Sequence, residues 1–185
     1  MTMLASPGQL RAALLRWTLF LAPLLLLLGF LSGALSGSTE YNPWFVGLEK
    51  PDLYPPAATF GIVWSLLYLG MGLALAMIIT AHGAAGRRLA IAVFALQFVL
   101  NLAWSPLFFA AHRIGASLVL LAVLDVAVIA CLLAFHRVRP FAALLLVPYL
   151  GWCLFATVLN WQFLDANPGS DGAESGRAQA SVQFG

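Results

Sequence analysis

Tryptophan and tyrosine at helical spacing are the residues of this sequence best equipped for chemistry. Trp64 and Tyr68 lie four apart, Trp104 and Phe108 likewise, and Tyr149, Trp152, Ala156, Asn160 and Phe163 recur at intervals of three and four. On helices each set shares one face. Broad π faces gathered in this way recognise a flat partner by stacking, with a few polar groups to orient it. Polar candidates stand close by: Gln97, Asn101 and Ser105 follow at four-residue steps, and Asp125 is a lone carboxylate in an apolar run. The same stripes would equally serve as helix packing. Trp17 and Trp161, near the ends of apolar runs, fit a membrane-interface belt instead. Hydrolytic and metal chemistry find no suitable residue set. No Ser-His-Asp constellation, paired carboxylate or phosphate-binding glycine loop is present, and Gly70-Met71-Gly72 lies within a helical run. His82, His112 and His136 fall at connectors. Cys131 and Cys153 sit in apolar runs without metal-ligand spacing and read as small buried hydrophobes.

The elements that position these side chains are membrane helices. The chain has 185 residues, 62% hydrophobic and only 9% charged, with a mean hydropathy of +0.94. A soluble domain carries about 25% charged residues, so this composition excludes a soluble enzyme, a nucleic-acid binder and a disordered chain. The net charge of +2 is too small for a phosphate-tracking surface. Five apolar runs reach the roughly 20 residues that a membrane span needs: about 17–35, 59–81, 89–111, 114–135 and 141–164. They are continuous rather than alternating, so they are helices and not barrel strands. The apolar core of the first run exceeds the 7–15 residues of a signal peptide, and it reads as a span. Among nine basic and seven acidic residues only Asp125 falls inside a run. The predicted fold is an all-α membrane protein, a bundle of five transmembrane helices forming one domain over 1–164, followed by a polar, disordered tail over 165–185.

Short connectors around residues 83–88, 112–113 and 136–140 force antiparallel neighbours. The connector over residues 36–58 differs, because it holds four prolines together with Trp44, Phe45, Leu53 and Tyr54. Such aromatic content is foreign to disorder and predicts a packed lid on the bundle. Arg11, Arg16, Arg87, Arg88, Arg137 and Arg139 fall on one side of the bilayer, against Lys50, Arg113 and Arg177 on the other. This predicts a cytoplasmic N-terminus, with the long connector and the C-terminus on the opposite face. Counting residues from the turns puts Tyr68, Asn101, Asp125 and Trp152 in one layer near the midplane. A carboxylate there faces a partner or a cavity rather than lipid. Either it is pinned by Asn101 or Gln97, or it tunes the polarity of a ligand cavity. Trp64 and Trp104 come out nearer the lid. A single intramembrane ionisable group argues against a proton relay.

At these residues the chain resembles the TspO/MBR family of translocator proteins, tryptophan-rich sensory proteins and peripheral-type benzodiazepine receptors. Four stretches in one order carry the resemblance: NPWFVGLEKPDLYPP in the connector, GIVWSLLYLGMG in the second span, LNLAWSPLFF in the third and VPYLGWCLFATVLNW in the fifth. They cover roughly residues 20–167. The resemblance implies a five-helix bundle, homodimeric in many members, whose pocket the first connector closes. It implies porphyrin or haem as ligand, with no required cofactor; since His82, His112 and His136 all fall at connectors, no histidine is in place for a central metal. Carried over by motif, the pocket positions are Trp44, Phe45, Trp64, Tyr68, Asn101, Trp104, Trp152, Phe155, Ala156 and Leu159; Asp125 joins them from the depth count. The function implied is a membrane tetrapyrrole-binding protein in sensing or transport. The alternatives are a light-dependent porphyrin-degrading enzyme using Trp64 and Trp152, and a helix-packing scaffold acting through a partner protein. The lid departs from the family in having Phe45 where Tyr is frequent and Leu53 where Trp is frequent. The sterol motif of the animal proteins lacks its arginine here, since ATVLNW is followed by Gln162, Phe163, Leu164 and Asp165. Cholesterol binding is therefore not expected.

Overall fold

Pro7 occupies the first position of helix α1 (Pro7–Leu35), where its missing N–H leaves nothing unpaired. Ser6 caps the helix reciprocally: its hydroxyl accepts from the Gln9 N–H at 3.3 Å, and the Gln9 side chain accepts from the Ser6 N–H at 2.8 Å. This capping box starts the helix ten residues before the apolar run does, so Arg11 and Arg16 ride on α1 rather than precede it. The structure is a computed structural model that describes residues 6–38 and 41–172. After α1 come α2 (Pro43–Gly47), α3 (Ala57–Ile79), α4 (Arg87–Ser105), α5 (Ile114–Val138), α6 (Pro140–Leu144) and α7 (Val147–Ala166). Among the described residues five helical segments of 23 to 29 residues are apolar enough to span a bilayer. At 1.5 Å per residue the shortest is roughly 35 Å long, enough for a hydrocarbon core of about 30 Å. The fold is the five-helix, all-α membrane bundle that the apolar runs predicted.

Small residues set the packing. At Gly72 of α3 an added Cβ would lie 2.4 Å from the Ala22 Cα, so α1 and α3 touch backbone to backbone. At Gly29 of α1 it would lie 2.2 Å from the Tyr68 ring. On the other flank α4 packs along α5, and α5 along α7. One apolar core fills the end of the bundle away from the lid, around Met71, Ile78, Val128, Phe135 and Leu146. A second joins the lid to the opposite ends of α5 and α7, with Trp44, Phe45, Leu48, Phe108, Ile114, Leu159 and Phe163.

Three features depart from the predicted spans, each with a local cause. The third span is not one regular helix. Pro106 has no N–H to offer, and the backbone widens into a π-turn over Pro106–Ala110, closed by the Ala111 N–H on the Pro106 carbonyl at 2.9 Å. The fifth span bends at its start. Arg139 precedes Pro140 and is extended (φ −150°, ψ 98°), α6 completes one short piece, and α7 resumes at Val147. Finally, α7 continues to Ala166, and Asn167 is buried against the lid. The first residues assigned to a disordered tail are thus docked structure. The remainder, Arg177 included, lies outside the described residues.

Candidate functional site

The lid is built around α2. Asn42 caps it by accepting from the Trp44 and Phe45 N–H groups at 3.1 and 3.2 Å. The Asn42 amide nitrogen in turn donates to the carbonyls of Gly37 (3.0 Å) and Phe109 (3.3 Å), fastening the lid to the bundle. Lys50 closes the other end of α2. Its ammonium donates to the carbonyls of Phe45 and Leu48 and lies 4.3 Å from the centre of the Phe45 ring. Burial pushes this ammonium below its ordinary pKa of 10.5.

Under the lid lies a cavity of about 400 Å³, whose wall draws on α1, α3, α4, α5 and α7. That is within the range of small-molecule sites. Helix α3 presents Phe60, Trp64 and Tyr68 at four-residue steps; α7 presents Trp152, Ala156, Asn160 and Phe163. Trp64 stacks on Tyr68 with centroids 5.2 Å apart and meets Tyr149 edge-on at 6.3 Å. Trp152 stands edge-on to Phe60 at 5.8 Å, and Trp104 stacks on Phe108 at 5.2 Å. Among the described residues no charged side chain lines the cavity. Its polar groups are mostly bonded to one another. The Tyr68 hydroxyl donates to the Asn101 amide oxygen at 2.9 Å. The Trp104 indole N–H and the Ser117 hydroxyl both donate to Asn160, at 3.2 and 2.9 Å, while the Asn160 amide nitrogen donates to the Ile114 carbonyl at 3.0 Å. In a low-dielectric interior such pairing fixes the aromatic rings. The result is a preformed apolar slot with indole faces and two polar corners.

Eight of the sequence-derived positions line this cavity: Phe45, Trp64, Tyr68, Asn101, Trp104, Trp152, Ala156 and Leu159. Three do not. Trp44 is 1% exposed and stacks on the His112 ring at 4.4 Å, so it forms the foundation of the lid rather than its inner surface. Phe155 lies against Trp152, centroids 5.1 Å apart, and backs it. Asp125 points away from the cavity, where α5 contributes Leu121 and Leu124. Nor do Asn101 or Gln97 hold it. Their amide oxygens accept from Tyr68 and Tyr149 respectively, each at 2.9 Å. The carboxylate instead accepts from the Thr157 hydroxyl of α7 at 2.7 Å. Among the described residues no three His, Cys, Asp or Glu side chains gather, and no histidine lines the cavity.

Sequence reasoning left out several lining residues. Asn160 and Phe163 stand in the stripe that begins at Tyr149, whose spacing carried the signal, yet the motif-based pocket positions omitted them. Gly29 and Gly33 of α1 complete the wall where a larger residue would fill it. Nothing in the apolar first run singled them out.

A family model for the TspO/MBR family matches residues 20–165, which takes in the lid, the cavity wall, the second half of α1 and nearly all of the other four spans. This chain belongs to the TspO/MBR family. Among its relatives, the Translocator protein of Sus scrofa is 38% identical over 131 residues, 70% of this chain and 78% of that protein. The Tryptophan-rich protein TspO of Chlorobaculum tepidum is 40% identical over 126 residues, 68% and 80%. The Protein CrtK of Rhodobacter capsulatus is 32% identical over 148 residues, 76% and 91%. Membership and the five apolar helices together make this TspO/MBR chain an integral, multi-pass membrane protein.

Proposed function

We propose that the cavity binds a tetrapyrrole, porphyrin or haem, and that the protein serves in sensing or transport of that ligand. The observation that carries this reading is the convergence of Trp64, Trp104 and Trp152 on one preformed, uncharged hollow in the bilayer. A flat macrocycle offers two π faces to such a wall and polar atoms to Asn101 and Asn160. Stacking of an aromatic side chain on a nucleobase contributes about 1–3 kcal/mol. Two or three comparable contacts reach the roughly 8 kcal/mol of micromolar affinity.

Titration of protoporphyrin IX into the purified protein tests this. Quenching of tryptophan fluorescence and a shift of the porphyrin absorbance band are expected, and both saturate. Trp64→Leu and Trp152→Leu each weaken binding about ten-fold, the equivalent of 1.4 kcal/mol. Trp17→Leu and Trp161→Leu, at positions 39% and 55% exposed on the bundle surface, leave it unchanged. Absence of any spectral change in the wild type rejects the reading.

The charge pattern supports an orientation as well. The end of the bundle opposite the lid carries Arg11, Arg16, Arg87, Arg88, Arg137 and Arg139, and no acidic residue. We infer that this end faces the cytoplasm. Labelling of single exposed cysteines placed near Arg88 and near Lys50, with an impermeant reagent on intact cells, checks it: only the Lys50 site reacts.

A further inference from the structure

The lid is held from two directions. Asn42 fastens its beginning, as described above. Its far half meets the end of α7, where one side chain makes a two-point contact with one backbone unit. The Asn167 amide oxygen accepts from the Glu49 N–H at 2.8 Å, and its amide nitrogen donates to the Glu49 carbonyl at 3.0 Å. The same nitrogen donates to the Phe163 carbonyl at 2.9 Å, locking the side chain to α7. Asparagine suits this task because a single planar group supplies donor and acceptor side by side. It is 8% exposed, so water competes poorly for these bonds.

The segment behind Asn167 is tied down in turn. The Ser170 N–H returns to the Asn167 carbonyl at 3.1 Å. Asp171 accepts from the Gly115 N–H at the start of α5 at 3.3 Å. The Gly172 N–H donates to the His112 carbonyl at 2.7 Å, beneath the ring on which Trp44 stacks. Residues 167–172 therefore join α7, the lid and the turn between α4 and α5. Asn167 is one turn beyond Phe163, which lines the cavity and meets the Phe45 and Tyr54 rings of the lid at 5.8 and 5.7 Å. The cavity wall and the lid fastening thus sit on consecutive turns of one helix.

We propose that Asn167, braced by residues 168–172, is a latch that holds the lid closed and sets the rate at which the cavity exchanges its contents with the water side. Asn167 is a positioning residue that touches no ligand; it acts through Glu49 on the segment that carries Phe45. Its role as a gate for a tetrapyrrole rests on the ligand reading above, whereas its role as a lid fastening does not.

Cys153 lines the cavity and is 1% exposed, so its labelling reports access without any ligand. The full-length chain, with Cys131→Ala, is placed in nanodiscs and treated with a membrane-impermeant methanethiosulfonate. Asn167→Leu removes both bonds to Glu49. Asn167→Asp keeps the size but sets an acceptor against the Glu49 carbonyl, and it serves if the leucine variant does not fold. Either folded variant is expected to label at least ten-fold faster than its parent, with helix content unchanged. Dissociation of protoporphyrin IX accelerates to a similar extent, a kinetic change that a purely structural residue would not produce. Equal labelling rates in parent and variant, including no reaction in either, overturn the latch. Faster labelling in a protein that binds no porphyrin upholds the latch and rejects the tetrapyrrole reading.

Discussion

The Ser32 hydroxyl of α1 donates to the Leu102 carbonyl of α4 at 2.6 Å, across two membrane helices. Leu102 is the residue whose carbonyl would receive the N–H of residue 106, and residue 106 is a proline. In lipid no water replaces the lost bond, so Ser32 supplies it. Ser32→Ala leaves the carbonyl unpaired and is expected to lower stability by about 1 kcal/mol. Pro106→Ala restores an N–H, after which Ser32→Ala has little effect. A double-mutant cycle on denaturant-induced unfolding in mixed micelles checks this, with an expected coupling of about 1 kcal/mol. Strict additivity of the two changes would refute the substitution of one donor for the other.

Two glycines with different surroundings separate packing from opening. A Cβ at Gly72 would collide with the Ala22 backbone, which cannot yield as a side chain can. Gly72→Ala therefore forces α1 and α3 apart, and a loss of about 2 kcal/mol is expected, as for overpacked cores. A Cβ at Gly151 meets nothing within 4 Å. Gly151→Ala should be neutral or stabilise α7 by up to about 1 kcal/mol, since alanine favours helix. Thermal midpoints of the two variants, measured in one detergent, decide the matter.

The contrast shows what the sequence made legible. Apolar run length gave the five spans, because lipid forces helix on any such segment. Counting from the turns gave height, and the Tyr68–Asn101 hydrogen bond at 2.9 Å joins two residues assigned to one layer. Height is not azimuth. A helix turns 100° per residue, so Leu124 faces the cavity while Asp125 faces Thr157. Partners across helices, such as Ser32 for Leu102 or Asn167 for Glu49, depend on that rotation and on the π-turn at Pro106. In an apolar run no polar pattern marks it. The start of α1 escaped notice for a different reason: the capping box at Ser6 is a local hydrogen-bond signal outside the apolar run.

Lys50 gives the lid a pH response. Burial lowers its pKa, so the closed lid binds fewer protons at this site than an open, hydrated one. Closing is then favoured as pH rises through the interval below the ordinary value of 10.5, and the effect levels off above it. A nitroxide on Val46→Cys, at a position 60% exposed, reports lid mobility. Its immobile fraction should grow between mildly alkaline pH and pH about 10.5. Lys50→Met should abolish the response and loosen the lid at every pH, because the carbonyls of Phe45 and Leu48 lose their donor. An unchanged response in Lys50→Met would assign the titration to another group.

Asp125 is the intramembrane carboxylate, and its surroundings separate stability from ligand recognition. It is 7% exposed; one oxygen accepts from Thr157 at 2.7 Å, and the other finds no partner among the described residues. Polar groups held this way in lipid stabilise helix contacts modestly, by about 1 kcal/mol. Asp125→Asn keeps an acceptor for Thr157 and removes a buried acid, so stability should hold or rise. Thr157→Val leaves both carboxyl oxygens unpaired and should lower stability by about 1–2 kcal/mol. The cavity beside Asp125 is walled by Leu121 and Leu124, so folded Asp125→Asn protein should bind protoporphyrin IX within about two-fold of the wild type, less than 0.5 kcal/mol. Isothermal titration on micelle-embedded protein tests this alongside unfolding. A ten-fold loss of affinity with undiminished stability would mean that the carboxylate reaches the ligand, in conflict with the wall that α5 presents.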